Sequence, residues 1–436
     1  MGTFLLIWAA QFFSTIGSGL TNFALGVWVY QTTGSATQFA LILVFSSLPA
    51  VLVAPLAGLI ADRYDRRLVL ILSDSGVAFT TLALAILLML NRLELWHIYL
   101  ACAIGSAFGT LQWPAFSAAT TMLVEKKDLG RASGMVQMGS AISQIVTPVL
   151  AGFLIAVIQV WGVMLVDFAT YLVAMIIMVS FRIPRPEKTA EGAKAEGSLG
   201  KRLTFGWVYL KLRPGLLGLL ILFSVVNISN GFFSSLFTPM ILSTNDAQTL
   251  GAIVSAGGIG LLAGGLIMSA WGGPKPGNRV TGICVFLLLL GLGTSMLGVS
   301  PAIPVIVAGL LLLEIILPIV SGTSQAIWQS KVEADIQGRV FAVRSMVASF
   351  FQPLSYLIAG PLADALFEPW MAEGGTLSGS IGSLFGSGAG RGMGLLLLIM
   401  GVIVILATLV AFANPRVRKL EAEIPDAVSA EQVSST

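Results

Sequence analysis

The sequence predicts an all-α integral membrane protein of twelve transmembrane helices in two six-helix repeats. Three observations lead there. Hydrophobic residues make up 56% of the 436-residue chain and charged residues 10%, against roughly 25% charged in an ordinary soluble domain. Apolar runs of about 20 residues recur between clusters of charge, Gly, Pro and Asn. The 24 Lys and Arg fall almost entirely on one side of the alternation those runs define. With a mean hydropathy of +0.91, soluble enzyme, nucleic-acid binder and disordered chain are excluded together. The net charge of +3 is too small to imply a polyanionic partner, and the 48 glycines suit membrane helices that approach through small residues.

The spans fall near residues 4–30, 37–61, 68–90, 95–123, 131–157, 160–181, 215–243, 248–272, 279–299, 303–329, 340–366 and 392–413. The first has no basic region before it and no small-residue cleavage pattern after it, so it reads as a retained span. Leu6 stands where a myristoylation signal needs Ser or Thr. With the N-terminus inside, the basic residues at 63–67, 126–131, 182–213, 275–279, 331–344 and 416–419 all fall on the cytoplasmic side, and only Arg92 and Arg391 fall outside. Both termini are therefore expected in the cytoplasm. The predicted organisation is an N-terminal bundle over 1–182, a cytoplasmic linker over 183–213, a C-terminal bundle over 214–414 and a cytoplasmic tail over 415–436. Internal similarity makes the same cut. Val124-Glu125 with Gly130-Arg131 recurs as Val332-Glu333 with Gly338-Arg339, and Gly58-Leu59-Ile60 recurs as Gly265-Leu266-Ile267, at offsets of 208 and 207. Two parallel repeats with a binding site between them near the midplane is a transporter plan.

The loop Gly58-Leu59-Ile60-Ala61-Asp62-Arg63-Tyr64-Asp65-Arg66-Arg67 resembles the signature loop of the major facilitator superfamily, departing from it at Asp65, where that pattern has Gly. The resemblance implies the major facilitator fold and a gate at the cytoplasmic face. Gly58 admits a neighbouring helix, Asp62 faces a helix N-terminus, and Arg63, Arg66 and Arg67 make charge-assisted bonds in one conformation only. Asp74, seven residues after Arg67 on the same helix face, is expected to pair with those arginines. Ser269 stands at the equivalent of Asp62, so the charged latch is expected in the first half alone.

In the fifth span Gly134, Ser143, Thr147, Pro148, Ala151 and Gly152 keep the spacing of the Gly-Pro motif of the superfamily's antiporters, although the fourth span lacks the Arg of their best-known proton route. Trp113-Pro114-Ala115, Asp128–Ala132, Gln337–Phe341 and Ala359–Asp364 look like the bacterial branch that includes macrolide and enterobactin exporters. That resemblance implies a monomeric secondary active transporter of the bacterial inner membrane. It would export a small amphipathic drug, siderophore or natural product by alternating access in exchange for protons. A lipid or lysolipid transporter, and a non-transporting receptor or scaffold that has kept the fold, stay open beside it.

Ionisable groups inside spans are functional candidates because burying them is costly. Glu314, about eleven residues into the tenth span, and Asp167 in the sixth are the candidate proton carriers. The first span carries Gln11, Ser14, Thr15, Ser18 and Asn22 on one face, and the seventh repeats the pattern with Ser224, Asn227, Gly231, Ser234 and Thr238. Lipid cannot satisfy such a stripe, so it faces inward. In the resembled fold these helices border the central cavity with the fourth and tenth spans, which adds Gln112, Trp113, Phe116, Gln325 and Trp328 as lining candidates. The set of amides and aromatics suits an amphipathic ligand.

No enzyme, cofactor or metal site is expected. Gly386–Gly392 is glycine-rich but lacks a Lys-Ser/Thr ending and follows no strand, and no Walker pattern occurs elsewhere. Cys102 and Cys284 lie in apolar runs without a second ligand, and His97 sits beside Trp96 at a span end as an interfacial residue.

Overall fold

Inside a bilayer every backbone donor and acceptor must be satisfied within the segment, and uncharged runs of this length achieve that as helices. The computed structural model describes residues 2–63, 66–124, 129–180, 207–332 and 336–426, and no strand occurs among them. The long helices are α1 (Gly2–Thr33), α2 (Ala36–Arg63), α3 (Arg66–Met89), α4 (Leu95–Leu123), α5 (Leu129–Ser180), α6 (Pro214–Leu242), α7 (Ala247–Trp271), α8 (Arg279–Val299), α9 (Ile303–Lys331), α10 (Gln337–Leu362) and α11 (Arg391–Ala413). Among the described residues ten helical segments are long and apolar enough to cross a membrane. One of them, Met138–Ser180 within α5, is two arms joined at Gln159, whose φ of 61° and ψ of 175° interrupt the helix. With that second arm and α4 added, the described helices account for the twelve expected spans. The fifth and sixth spans are thus divided by a bend instead of a loop.

The chain divides into two compact units. The first comprises Met1–Lys188, Ser235–Gly258 and Tyr356–Asp364, and the second Thr189–Ser234, Ile259–Ser355 and Ala365–Thr436.

In lipid there is little hydrophobic gain from bringing helices together, so their contact rests on close packing through small residues and on hydrogen bonds. The first unit shows this along α1. A Cβ on Gly17 would stand 2.3 Å from the Thr170 hydroxyl of α5, and one on Gly19 would stand 2.8 Å from the Thr147 methyl. Leu20, Ala24, Leu25 and Val29 of α1 then pack against Val163 and Met164 of α5, Ala85 of α3 and Ile98 of α4. The start of α7 also belongs to this unit. Gly251 lies so close to Pro148 that a Cβ would be 2.3 Å from its carbonyl oxygen, and a Cβ on Gly152 would be 2.7 Å from the Ala247 carbonyl. Ser255 donates its hydroxyl to the Ile145 carbonyl at 2.6 Å. Asp246 caps α7 by accepting from the Thr249 N–H at 2.8 Å, a bond that holds its carboxyl below the usual carboxylate range.

The start of α2 is capped from far along the chain. Gly34, at φ 64°, turns the backbone out of α1. Asp364, in the π-helical turn Ala363–Phe367 that continues α10, then accepts from the Ser35 hydroxyl at 2.6 Å, the Ala36 N–H at 3.0 Å and the Thr37 N–H at 2.9 Å. Gly360 allows the approach, since a Cβ there would be 2.6 Å from the Thr37 Cα.

The second unit is built around α8. A Cβ on Gly298 would stand 1.9 Å from the Gly394 carbonyl of α11, and one on Gly401 would stand 2.5 Å from that of Gly291. Gly293 and Gly309 make the same approach between α8 and α9, at 2.9 and 2.8 Å from each other's carbonyl oxygens. Leu216, Leu219, Ile283, Leu287, Trp328 and Val404 fill the core beside these seams. Arg391, buried at the first turn of α11, donates to the carbonyls of Gly298, at 2.6 Å, and of Phe385. Glu368 accepts from the Gly390 and Met393 N–H groups at 3.0 and 2.8 Å. Beyond α11 two helical turns, Pro415–Arg418 and Leu420–Glu423, fold back. There the Glu421 carboxylate accepts from the N–H groups of Gly277 and Val280 at the start of α8. Lys331 donates to the carbonyls of Glu421 and Ile424 at 2.9 and 2.6 Å and pairs with Asp426 at 2.9 Å.

Candidate functional site

Within the first unit α1, α4 and α5 line an open cavity of about 270 Å³. From α1 come Trp8, Gln11, Phe12 and Thr15, whose spacing of three and four puts them on one face. From α4 come Gly109, Gln112 and Phe116, and from α5 Val136, Gly139 and Ser140. The Trp8 and Phe12 rings stack with centroids 5.6 Å apart and planes 11° from parallel. They lie against Gly139, where a Cβ would be 3.2 Å from Phe12 and 3.4 Å from Trp8. Opposite, Gly109 has nothing within 4 Å of the position its Cβ would take, which leaves the space open. The wall is therefore apolar and aromatic with two amides set into it.

Both amides are anchored by a carboxylate standing behind them. Gln11 Nε2 donates to Asp74 Oδ2 at 2.8 Å, and Gln112 Nε2 donates to Asp74 Oδ1 at 2.6 Å and to Gln11 Oε1 at 3.2 Å. Asp74 was expected to pair with the arginines of the loop before α3. The side chains of those arginines lie outside the described residues; among the described residues its partners are these glutamines, since seven residues of helix raise it about 10 Å above Arg67. A second buried carboxylate, Asp167 of α5, accepts from Thr21 at 2.7 Å, Ser18 at 3.3 Å and Thr81 at 3.4 Å. Two residues of the polar stripe of α1, Gln11 and Ser18, are thus spent on carboxylates from α3 and α5. Thr15 returns its hydroxyl to the Gln11 carbonyl of its own helix at 2.8 Å.

The predicted site residues separate accordingly. Gln11, Gln112 and Phe116 meet at the cavity. Ser18 does not line it and serves Asp167, while Asn22 is exposed. In the second unit, Asn227 and Ser234 are half-buried on α6. In the same unit Gln325 is half-buried on α9, and Trp328 is buried away from any lining. Gln325 accepts from Arg344 Nη1 at 2.8 Å, and Trp328 is 1% exposed in the core with the Arg344 guanidinium 5.2 Å from its ring centroid. The reason is that Arg344 lies within α10, where it needs an amide and a ring to replace water. Glu314 is half-buried on α9 with its Cβ against Gly260 of α7. Among the described residues it has no hydrogen-bond or ion-pair partner.

In the fifth-span motif the Ser143 and Thr147 hydroxyls are 3.2 Å apart, Ala151 is fully buried, and Pro148 and Gly152 meet α7. Gly58, Asp62, Arg63, Arg66, Arg67, Trp113 and Gly134 lie outside the residues whose side chains are described. Sequence reasoning overlooked Trp8 and Phe12, although two aromatics four apart on either side of Gln11 were a usable signal. It also overlooked Arg344 as a helix-interior cation and Thr81 as a partner of Asp167.

Comparison with known proteins adds an independent line. Residues 7–356 match the sequence model of the Major Facilitator Superfamily. Macrolide efflux protein A of Streptococcus pyogenes is 25% identical over 392 residues, covering 86% of this chain and 93% of that protein. Multidrug efflux pump Tap of Mycobacterium tuberculosis (strain CDC 1551 / Oshkosh) is 26% identical over 381 residues, covering 84% and 88%. Among solved structures, the nucleoside transporter NupG superposes with a TM-score of 0.68 at 13% identity, over 95% of this chain and 100% of that one. A bacterial homolog of the human lysosomal transporter Spinster, in an inward-facing and occupied conformation, gives a TM-score of 0.68 at 13% identity, over 97% and 96%. At these identities the structural likeness speaks to the fold.

Proposed function

The chain belongs to the major facilitator superfamily, and on that premise we propose that it exports a small amphipathic compound across a bacterial inner membrane by alternating access, in exchange for protons. The observation that carries this reading is the cavity. Stacked Trp8 and Phe12 with Phe116 supply apolar ring area, and Gln11, Gln112 and Thr15 add a few hydrogen-bonding groups, the composition that holds a partly apolar ligand. At about 270 Å³ it fits one ring-sized portion of such a compound. The names of the relatives, a macrolide efflux protein and a multidrug efflux pump, support export of drug-like molecules.

The rest of the reading follows from charge. The basic residues put both termini and the Asp62 loop in the cytoplasm, where Asp62 and its arginines act as the inner gate, and the Asp364 contact with α2 then lies at the opposite end. Glu314 and Asp167 are the proton carriers. Glu314 gains or loses a proton without breaking a bond among the described residues. Asp167 does so against three hydroxyls that rotate to suit either state. No cofactor takes part, and the monomer is the working unit.

Susceptibility and accumulation in cells with and without the gene test the reading. Lower accumulation of a macrolide or a dye, with matching resistance, supports it. Altered phospholipid composition with unchanged susceptibility would transfer the assignment to lipid movement, and no change in either would leave a receptor or scaffold. Cysteines introduced at Lys194 and Ser380 should label from opposite faces of the membrane, and labelling from one face overturns the topology.

A further inference from the structure

The glutamines of the cavity wall point to how a proton reaches the ligand without entering the cavity. Asp74 is absent from the lining, yet its two oxygens take an N–H from each of Gln11 and Gln112, which both line it. An ionised carboxylate only accepts, so both amides must present nitrogen to it and turn their carbonyls elsewhere. The Gln11 carbonyl is occupied by the second N–H of Gln112, at 3.2 Å. The Gln112 carbonyl has no hydrogen-bond donor among the described residues and belongs to a side chain of the wall. In this state the amide part of the wall is an acceptor bonded through its nitrogen to a negative charge, in a lining it shares with the rings of Trp8, Phe12 and Phe116 and the hydroxyls of Thr15 and Ser140. Acceptor, negative charge and ring faces together fit an aromatic cation bearing N–H groups.

Protonation reverses the arrangement. A neutral Asp74 carries one O–H, which must donate, and the acceptors that its two hydrogen-bonded partners among the described residues can offer from their side chains are the amide carbonyls of Gln11 and Gln112. One amide then turns over, its carbonyl going to Asp74 and its NH₂ to the cavity. We propose that Asp74 is a positioning residue that converts arrival of a proton into release of an organic cation by turning a glutamine amide of the cavity wall. The proposal rests on the export reading and names the substrate class of that cavity. The step balances as one proton taken up by Asp74 for one cation released.

The surroundings leave Asp74 free to act in this way. Facing it, α1 presents Gln11 and α4 presents Gln112. The second arm of α5 presents Tyr171, whose hydroxyl is 2.9 Å from that of Ser75, the neighbour of Asp74 on α3. Asp167 lies two turns along and is held by Thr21, Ser18 and Thr81. No charged side chain pairs with Asp74 among the described residues.

The test is binding of ethidium, a cation of fixed charge with two amino groups, to the purified full-length protein in detergent across pH 5 to 8. Wild type should lose affinity as the pH falls, by up to about tenfold per pH unit for one coupled proton. Asp74→Asn should bind weakly with a flat profile, and Asp74→Glu should restore the slope. Gln112→Met keeps the carboxylate and should bind more weakly with a shallower profile, which decides the matter if Asp74→Asn does not fold. No ethidium binding at any pH, a flat wild-type profile, or a wild-type profile in Asp74→Asn or Gln112→Met overturns the relay. A flat profile with the resistance phenotype intact removes the relay and leaves the export reading. A sloped profile in a protein that confers no resistance removes the export reading and leaves the relay.

Discussion

Removing the carboxylate of Asp364 isolates one contact whose worth can be worked out from its geometry. The first N–H groups of any α-helix lack acceptors within the helix. At α2 those of Ala36 and Thr37 are taken by Asp364, which also accepts the Ser35 hydroxyl. Loss of a capping side chain costs about 0.5–2 kcal/mol, and a hydrogen bond to a charged group is worth about 1.5–3 kcal/mol. These ranges overlap in describing one interaction, so Asp364→Ala should weaken the contact by about 2 kcal/mol, or roughly thirtyfold in its open-to-closed ratio. Hydrogen exchange of the full-length protein reads this directly. The amides of Ala36 and Thr37 should lose protection by one to one and a half decades, with those deep in α4 unchanged. Asp364→Asn, which keeps one acceptor oxygen, should fall between. Unaltered protection at Ala36 and Thr37 in a folded Asp364→Ala protein would refute the assignment of Asp364 as the cap.

Three further substitutions test other parts of the structure. Glu314→Gln mimics the protonated carboxyl, so ligand binding should survive while transport driven by a pH gradient collapses and downhill exchange persists. Full gradient-driven transport would move the coupling to another residue. Lys331→Met removes the donor shared by the carbonyls of Glu421 and Ile424, a loss of about 1–3 kcal/mol to the folded tail. Protease cleavage beyond Ala413 should then quicken at least fivefold, and an unchanged rate would show that the helical turns hold without it. Gln159→Gly relieves a φ of 61° with ψ near 175°, a region in which a side chain costs about 1–3 kcal/mol. Set against loss of the exposed Trp161 bond to the Gln159 side chain, the net effect should be about 1 kcal/mol of stabilisation, seen as a higher unfolding temperature. A lower temperature would contradict it.

The membrane fold was legible in the sequence because length and hydropathy act on each segment alone. An apolar run has to become a helix whatever its neighbours are. The bend at Gln159 was less legible, since nothing in Ile158-Gln159-Val160 announces a positive φ. The site divides in the same way. Periodicity showed that Gln11 and Ser18 share an inward face, but a face is not a partner. That Gln11 meets a carboxylate 63 residues away and Ser18 one 149 residues away depends on how α3 and α5 bring their carboxylates to α1. Asp74 was visible only relative to Arg67 on its own helix, and local spacing could not reveal the glutamines of α1 and α4 that meet it. Nothing local to Gln325 and Trp328 revealed that Arg344, on the following helix, would draw on both.

The glycine seams of α8 also bear on how the second unit can respond to force. Where Gly298 meets Gly394 and Leu398, the atoms that its Cβ would meet are all backbone. A joint padded with leucines can absorb a small slide by changing rotamers, as gears with play absorb a small rotation. A joint of peptide groups has no rotamers to change. Any slide of α8 along α11 would carry the Gly298 Cα from beside one carbonyl onto the next ridge of the helix. The seam is therefore a latch with discrete notches, and a load applied at either end of α8 is transmitted to α11 with almost no lost motion.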